Sequence, residues 1–350
     1  MEEPLNPEVV SSRDCAGCGQ PAMDGDHPTP LCADCRKHFT RFPIPLWIKA
    51  FAGGIGVLVL FSLFTFPKDL SVGISLEKGV RAEKEKKYVT AQRAMESVLE
   101  KVPGNVEAKG HLLIDAFYNE DLTTFGETYE RLRFVNIEDH ELLGTINYVM
   151  DKAAPYFSDS TDSFSVFKKA YPALTAIPDT GWRGYMKRNP HDLAALLAYA
   201  GQLYDQKDYV HCDSCLQYAL KQDKEFFPAL NLMCSVKRKE HNLDSALFYN
   251  DRILDINKES PDGMASKART LLMEKKDREA LDLAMKSCEL GKNDVYTQAT
   301  LIMAYHYNNR LQDRDDLIKK VRVIAAKDSG DNVNLKYVLD VIDNKEKFRD

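Results

Sequence analysis

One spacing governs the second half of the chain. Cys212, Ala246 and Ala280 stand 34 residues apart, and Arg314 follows one step later. Ala91 and Phe125 show the same 34-residue interval nearer the start. Small side chains recurring at one helical position let paired helices approach closely, and large apolar residues around them bury against the next unit. A fixed period of this length marks stacked supersecondary units that cannot bury an apolar face alone. Glu120-Asp121, Asp205-Gln206-Lys207-Asp208, Glu240-His241-Asn242 and Lys275-Lys276-Asp277 are polar clusters between helical stretches and read as the turns within each unit. Residues 332–348 are expected to form a last amphipathic helix. Val333, Leu335, Val338, Leu339 and Ile342 would cover the final unit, and Lys345-Glu346-Lys347 would close it with charge.

These residues resemble the tetratricopeptide repeat (TPR). In the first copy Gly79, Tyr88, Ala91, Met95, Val98 and Pro103 stand where the family has Gly, Tyr, Ala, Phe, Ala and Pro. Ala200, Tyr209, Cys212, Leu216 and Ala219 form a later copy, and Cys234, Leu243, Ala246 and Ile253 the next. Ala268, Ala280 and Ala284 mark a third, with Asp277 in place of the usual aromatic residue. The last has Ile302, Tyr305, Leu311 and Val321, but Arg314 breaks the small-residue rule, as a terminal repeat does. The resemblance implies a mostly α fold, a TPR-like α-solenoid that binds other proteins in a groove lined by the first helix of each pair. It directs Tyr204, Asn231, Arg238, Arg269, Met303 and His306 towards that groove. The basic clamp that some members use for acidic C-termini is not reproduced at these positions.

The register fails once, because Phe125 and Cys212 are 87 residues apart. Residues 140–154 and 163–177 look like one further helix pair. The stretch from Pro178 to Gly184 reads as a loop inside a connecting insertion, 178–190, between lobes at 72–177 and 191–348. Trp182, within it, is expected to pack and not to bind.

Two Cys-x-x-Cys pairs, Cys15 with Cys18 and Cys32 with Cys35, are separated by 13 residues. Together they supply the four thiolates of a tetrahedral site, which suits zinc or iron. Gly19 allows the positive φ of a tight knuckle turn. So short a segment cannot bury enough apolar surface to fold alone, so a metal supplies much of its folding free energy. Residues 15–39 resemble the zinc-ribbon or treble-clef fingers, within a module placed at 13–42. The expected cofactor is one structural zinc ion, with a rubredoxin-type iron equally compatible with the spacing. With four protein ligands no position stays open for substrate. His27 and His38 read as surface residues, Asp24-Gly-Asp26 as a turn, and residues 1–12 as disordered.

From Leu46 to Phe66 the chain is almost wholly apolar, and from Ala50 onward this run holds no charged side chain. That pattern predicts a single transmembrane helix with the bilayer as a partner. Four Lys/Arg and no acid between Arg36 and Lys49 place the N-terminus in the cytoplasm and the C-terminal domain in the periplasm or outside, as in a bacterial inner membrane. Ala52 and Gly56 form a small-x-x-x-small pair through which two copies could associate.

A net charge of −6 and a pI near 5.8 argue against nucleic acid as a partner. The sequence contains no phosphate-cradling glycine motif, no His-Glu-x-x-His and no nucleophile elbow, so no enzyme is expected. The leading reading is a membrane-anchored scaffold joining a cytoplasmic zinc module to an extracytoplasmic repeat domain in an envelope assembly. One alternative is a transmembrane signalling protein whose repeats sense an envelope ligand. Another is a redox protein using Cys212 and Cys215, for which a disulfide among Cys212, Cys215 and Cys234 is the competing arrangement to buried free thiols.

Overall fold

The computed structural model describes residues 14–22, 29–40, 44–156, 163–291, 294–325 and 333–349. The expected disordered N-terminus at 1–12, His27 and the Asp24-Gly-Asp26 turn lie outside them. Two compact units meet in the chain between Asp69 and Leu70.

The first unit starts with a knuckle. The Cys15 N–H donates to the Gln20 carbonyl at 2.7 Å, the Gly19 N–H to the Cys15 carbonyl at 2.9 Å, and Asp14 bridges Pro21. Gly19 adopts φ +73°, the left-handed turn expected of it. Helix α1, Ala33–Thr40, follows the second cysteine pair, and helix α2, Leu46–Lys84, begins after Pro45.

Among the described residues no helix is long and apolar enough to cross a membrane. This corrects the single-pass expectation. A spanning helix needs about 20 consecutive apolar residues. The described side chains at the start of α2 run only from Leu46 to Ser62 and include Lys49; those of 63–69 lie outside the described residues. Further along, α2 carries Glu77, Lys78, Arg81, Glu83 and Lys84. The bilayer partner, the inner-membrane placement, the two-sided topology and transmembrane signalling all lose their support with it.

Among the described residues the regular structure of the second unit is entirely helical, with two single 3-10 turns beside the α-helices. Its first pair is the end of α2 with α3, Tyr88–Lys101; Val72, Leu76 and Val80 of α2 pack against Met95 and Val98. Then come α4, Val106–Tyr118; α5, Leu122–Leu132; α6, His140–Ala153; α7, Ser163–Lys169; and α8, Asp179–Arg188. Four regular pairs close the series. They are α9, Leu193–Asp205, with α10, Tyr209–Gln222; α11, Phe227–Lys239, with α12, Leu243–Ile256; α13, Pro261–Met273, with α14, Asp277–Leu290; and α15, Val295–Tyr307, with α16, Leu311–Ala325. Helix α17, Val333–Ile342, packs on α15.

The 34-residue period is written into the backbone. Lys86 and Glu120, and then Lys207, His241, Lys275 and Asn309, all have φ between +56° and +62°. Each sits in the turn inside a helix pair. The residue after it caps the next helix where it can: Asp121, Asp208 and Asn242 each accept a backbone N–H three positions on. Ala91, Cys212, Ala246 and Ala280 are fully buried, whereas Arg314 keeps part of its side chain accessible and bonds His306 and Asp315. The last repeat thus carries a long charged side chain where the others carry a small or apolar one.

Three expectations need correction. Residues 179–188 form α8 and not a loop. Pro178 with φ −70° starts a helix as readily as it ends one, and Trp182 and Tyr185 make its buried face. Gly181 serves close packing there, since a Cβ would lie 2.9 Å from the Tyr171 hydroxyl. The second helix expected at 163–177 stops at Lys169 and resumes only as a 3-10 turn, Leu174–Ala176. Helix α17 ends at Ile342, so Lys345-Glu346-Lys347 lie beyond it in a turn and tail; Leu335, Val338 and Val341 are its buried residues, while Val333 is exposed.

The early repeats also close onto later ones. The Lys258 N–H donates to the Lys86 carbonyl at 2.9 Å, and Thr90 donates twice to the Glu259 carboxylate, at 2.8 and 2.9 Å. The Asn257 amide donates to the Tyr118 carbonyl and the Asn119 side chain, both at 3.0 Å. The turn between α12 and α13 is therefore a docking point for the first two pairs.

Candidate functional site

Two places concentrate chemistry. The first is the cysteine cluster. The Sγ atoms of Cys15, Cys18, Cys32 and Cys35 all lie within 4.8 Å of one another, with Cys18 and Cys32 at 3.6 Å. A tetrahedral zinc with bonds near 2.3 Å requires sulfurs about 3.8 Å apart. Backbone N–H groups already point at the sulfurs: Cys32 donates to Cys15 Sγ at 3.1 Å and Cys35 to Cys32 Sγ at 3.5 Å. The Cys32 N–H is the main reason that the Cys15 thiol falls to about 6, while contact with the Cys18 and Cys32 thiols pushes Cys35 up to about 12. Four sulfurs this close need a cation before all can be thiolates. A Cβ on Gly17 would meet Cys35 Sγ at 3.2 Å, so glycine there keeps the shell tight. The donor set fits a structural metal such as zinc.

The second is a cleft of about 530 Å³ in the repeat domain. The C-terminal turns of α9, α11 and α13 form one side, with Tyr204, Arg238 and Arg269, and Tyr296 of α15 stands beside them. Tyr337 of α17 and Phe348 line it from the chain end. Lys207, Lys239 and Lys347 add positive charge, against Asp205 as the one acid in the lining.

Both arginines are buried. Arg238 is 9% exposed and donates to Ser266 Oγ at 2.7 Å and Ser235 Oγ at 3.0 Å. Arg269 is 7% exposed; its Nε donates to Thr300 Oγ1 at 2.8 Å, and its guanidinium stacks 4.2 Å from the Tyr296 ring centroid. Burial, joined by the neighbouring Arg238 charge, lowers the pKa of Arg269, although the tyrosines oppose this.

Three of the six residues directed to the groove by sequence, Tyr204, Arg238 and Arg269, line this cleft. The other three do not. Asn231 is spent on the repeat closure, donating to Glu120 Oε1 at 3.3 Å. Met303 is fully buried in the core of the last repeats. His306 is held against Arg314 at 3.1 Å, and burial and that arginine lower its pKa. Sequence reasoning missed Tyr296 and Tyr337. Tyr296 stands 27 residues after Arg269, outside the fixed-position comparison, and α17 belongs to no repeat.

The distal cysteines serve packing. All eight cysteines are free thiols. Cys212 and Cys215 donate to the Ala200 and Leu196 carbonyls of α9 at 3.1 and 3.3 Å. Burial pushes Cys212 up to about 12 and Cys215 and Cys234 up to about 11, which favours the protonated thiol in all three. Trp182 is likewise structural: fully buried, it donates to Gln202 at 2.7 Å among Phe164, Phe167 and Tyr199.

The sequence matches no family model and no curated protein. Among solved structures, YrrB, described as a TPR protein with an unusual peptide-binding site, shares 17% identity over 48% of this chain and 86% of its own, with a TM-score of 0.32. Pseudomonas aeruginosa PilF shares 13% over 77% and 97%, with a TM-score of 0.33. A tetratricopeptide repeat protein from Parabacteroides merdae shares 12% over 79% and 100%, with a TM-score of 0.41. At such scores the likeness adds nothing to the repetition already seen in the chain. The paired helices, the 34-residue recurrence of left-handed turns and the buried small residues make the fold TPR-like.

Proposed function

We propose that this chain is a protein-interaction scaffold, without catalytic activity, whose repeat domain receives an extended segment of a partner protein in the cleft between Tyr204 and Tyr337. The observation that carries this is the cleft itself. Aromatic faces and buried guanidiniums from successive first helices converge on one concavity of about 530 Å³, the size range of a ligand pocket. Tyrosine offers large contact area at little entropic cost, which suits it to recognition. The cysteine module complements this role as a zinc-stabilised platform, since its four ligands leave no open coordination position.

The test is a selection of linear peptides displayed against the full chain, followed by fluorescence-anisotropy titration of the survivors. Tyr204→Ala and Tyr337→Ala should each weaken binding at least tenfold while the circular-dichroism spectrum is unchanged. Peptides that bind both variants as tightly as the parent would refute the assignment of this cleft.

A further inference from the structure

We infer that the turn between α4 and α5 is a releasable latch: Tyr118, Asn119 and Glu120 cover the N-terminal halves of the first helices α11 and α13, and the apposed carboxyls of Glu120 and Asp262 make that cover depend on protons. The cleft is lined by the C-terminal turns of the same two helices. One end of this face is therefore open, and the other is taken by the early repeats of the same chain.

The contacts that seat the turn are few. The Asn257 amide holds the Tyr118 carbonyl and the Asn119 side chain, and the Tyr118 ring meets Phe227 of α11 edge-on at 6.5 Å. The Asn231 amide of α11 donates to Glu120 Oε1 at 3.3 Å. Beside them Lys86 Nζ donates to the Asp255 carbonyl at 2.9 Å, and Arg93 Nη2 to the Leu290 carbonyl at 2.8 Å. The apolar share of this junction is small. Among the described residues Tyr118 and Tyr156 alone pack against both the core around α4 to α6 and the core around α9 to α12. A polar junction with so little shared core can part while both halves stay folded.

Charge decides when it parts. Glu120 faces Asn231 of α11, Asp262 of α13 and Tyr156 beyond α6, while its neighbour Asp121 is turned to Gln92 and Thr124. Asp262 faces Asp294 as well, with Arg269 of its own helix as the opposing charge. Among the described residues neither carboxyl forms an ion pair. Burial and the Asp262 charge hold Glu120 up at about 8, against the Asn231 bond, and burial with Asp294 holds Asp262 up at about 6. Released into water, each carboxyl returns towards about 4. The closed form therefore binds the extra protons. Closure is complete below about pH 4 and weakens as pH rises through the two raised values. Between pH 6 and 8 opening releases one proton, which shifts the ratio of open to closed about tenfold per pH unit. Opening uncovers Phe227 and Asn231 and lengthens the face that ends at Arg238. The latch stands whether or not the cleft receives a peptide.

Hydrogen exchange of the full chain, corrected for the intrinsic pH dependence of amide exchange, reads the latch through the Lys258 N–H, which donates to the Lys86 carbonyl. Its protection should fall about tenfold per pH unit from pH 6 to 8, and amides in the middle of α15 should fall less. Glu120→Gln should flatten the fall at Lys258, although Asp115 still titrates in that variant. Asp262→Asn removes the opposing charge; relative to its own value at pH 5.5, it should keep about threefold more protection at pH 8 than the parent. Protection at Lys258 that does not vary with pH, or that falls equally in the parent and Glu120→Gln, would overturn the latch. An Asp262→Asn variant that loses as much protection as the parent would refute the apposition of the two carboxyls.

Discussion

Asp115 offers the sharpest test of the repeat packing. It lies on α4 with no exposed surface, and neither carboxylate oxygen has a hydrogen-bond partner. Burial, aided by the Glu83 charge, raises its pKa well above the normal carboxylate range. A folded-state pKa above the unfolded value means that the native protein holds this proton more tightly. The associated stability is complete below the unfolded pKa near 4 and is lost as pH rises towards the folded value. Within that window one proton changes stability by about 1.4 kcal/mol per pH unit. Asp115→Asn is nearly isosteric and cannot ionise, so the difference between variant and parent isolates the Asp115 contribution from Glu120, raised to about 8, and Asp262, raised to about 6. Asp115→Leu also removes the unpartnered polar atoms, each of which costs roughly 1–3 kcal/mol when buried. Urea unfolding followed by helical ellipticity between pH 4.5 and 8 should show the variants gaining on the parent as pH rises. Asp115→Leu should lead by about 2 kcal/mol at pH 7. A stability difference that does not change with pH, or a leucine variant weaker than the parent at pH 7, would show that Asp115 is neither desolvated nor unpartnered.

Other outcomes follow from the same geometry. Zinc analysis should find one ion per chain, and Cys35→Ser should lose it while the helical signal of the repeats persists; retention of zinc would remove Cys35 from the shell. Lys207→Gly and Lys275→Gly relieve the left-handed strain of a Cβ and should each stabilise by about 0.5 kcal/mol in denaturant melts, since the relief exceeds the entropy that glycine adds to the unfolded chain. Trp182→Ala should destabilise by about 3–5 kcal/mol, read as a lower urea midpoint, through the cavity and the orphaned Gln202 acceptor. Cys212→Ala with Cys215→Ala should leave peptide binding unchanged, because both thiols face α9 and not the cleft.

What the sequence disclosed depended on how many faces of each element are buried. The period and its polar turns were legible because helix-pair turns are exposed and repeat at a fixed interval. The four-sulfur cluster was legible because each Cys-x-x-Cys turn brings two sulfurs to one side, and the two pairs meet within 4.8 Å. The groove was half legible. First helices of a solenoid bury one face against their partner and another against the next pair, so Met303 and Arg269 occupy similar patterns yet point to different surroundings. Residue type does not tell Asn231 in a packing contact from Tyr204 in a cleft. Helix α8 was hidden by Pro178, Gly181 and Gly184, whose usual meaning is a turn; here the proline begins the helix and one glycine admits the Tyr171 hydroxyl. The membrane expectation came from an apolar run read without its continuation: α2 goes on to Lys84 and becomes the first packing helix of the repeats.

The hydrogen bonds that join the turn at 257–259 to Lys86, Thr90, Tyr118 and Asn119 change how the domain should come apart. In an open solenoid each repeat touches only its neighbours, so ends fray first and stability is a sum along a line. Here partners 138–172 residues apart share bonds. Loosening the first pair then exposes the middle of the array as well as its end. The early and late halves should unfold as one cooperative step, and folding should be slower than for a linear array of this length, because these distant contacts require a large loop to close before they contribute.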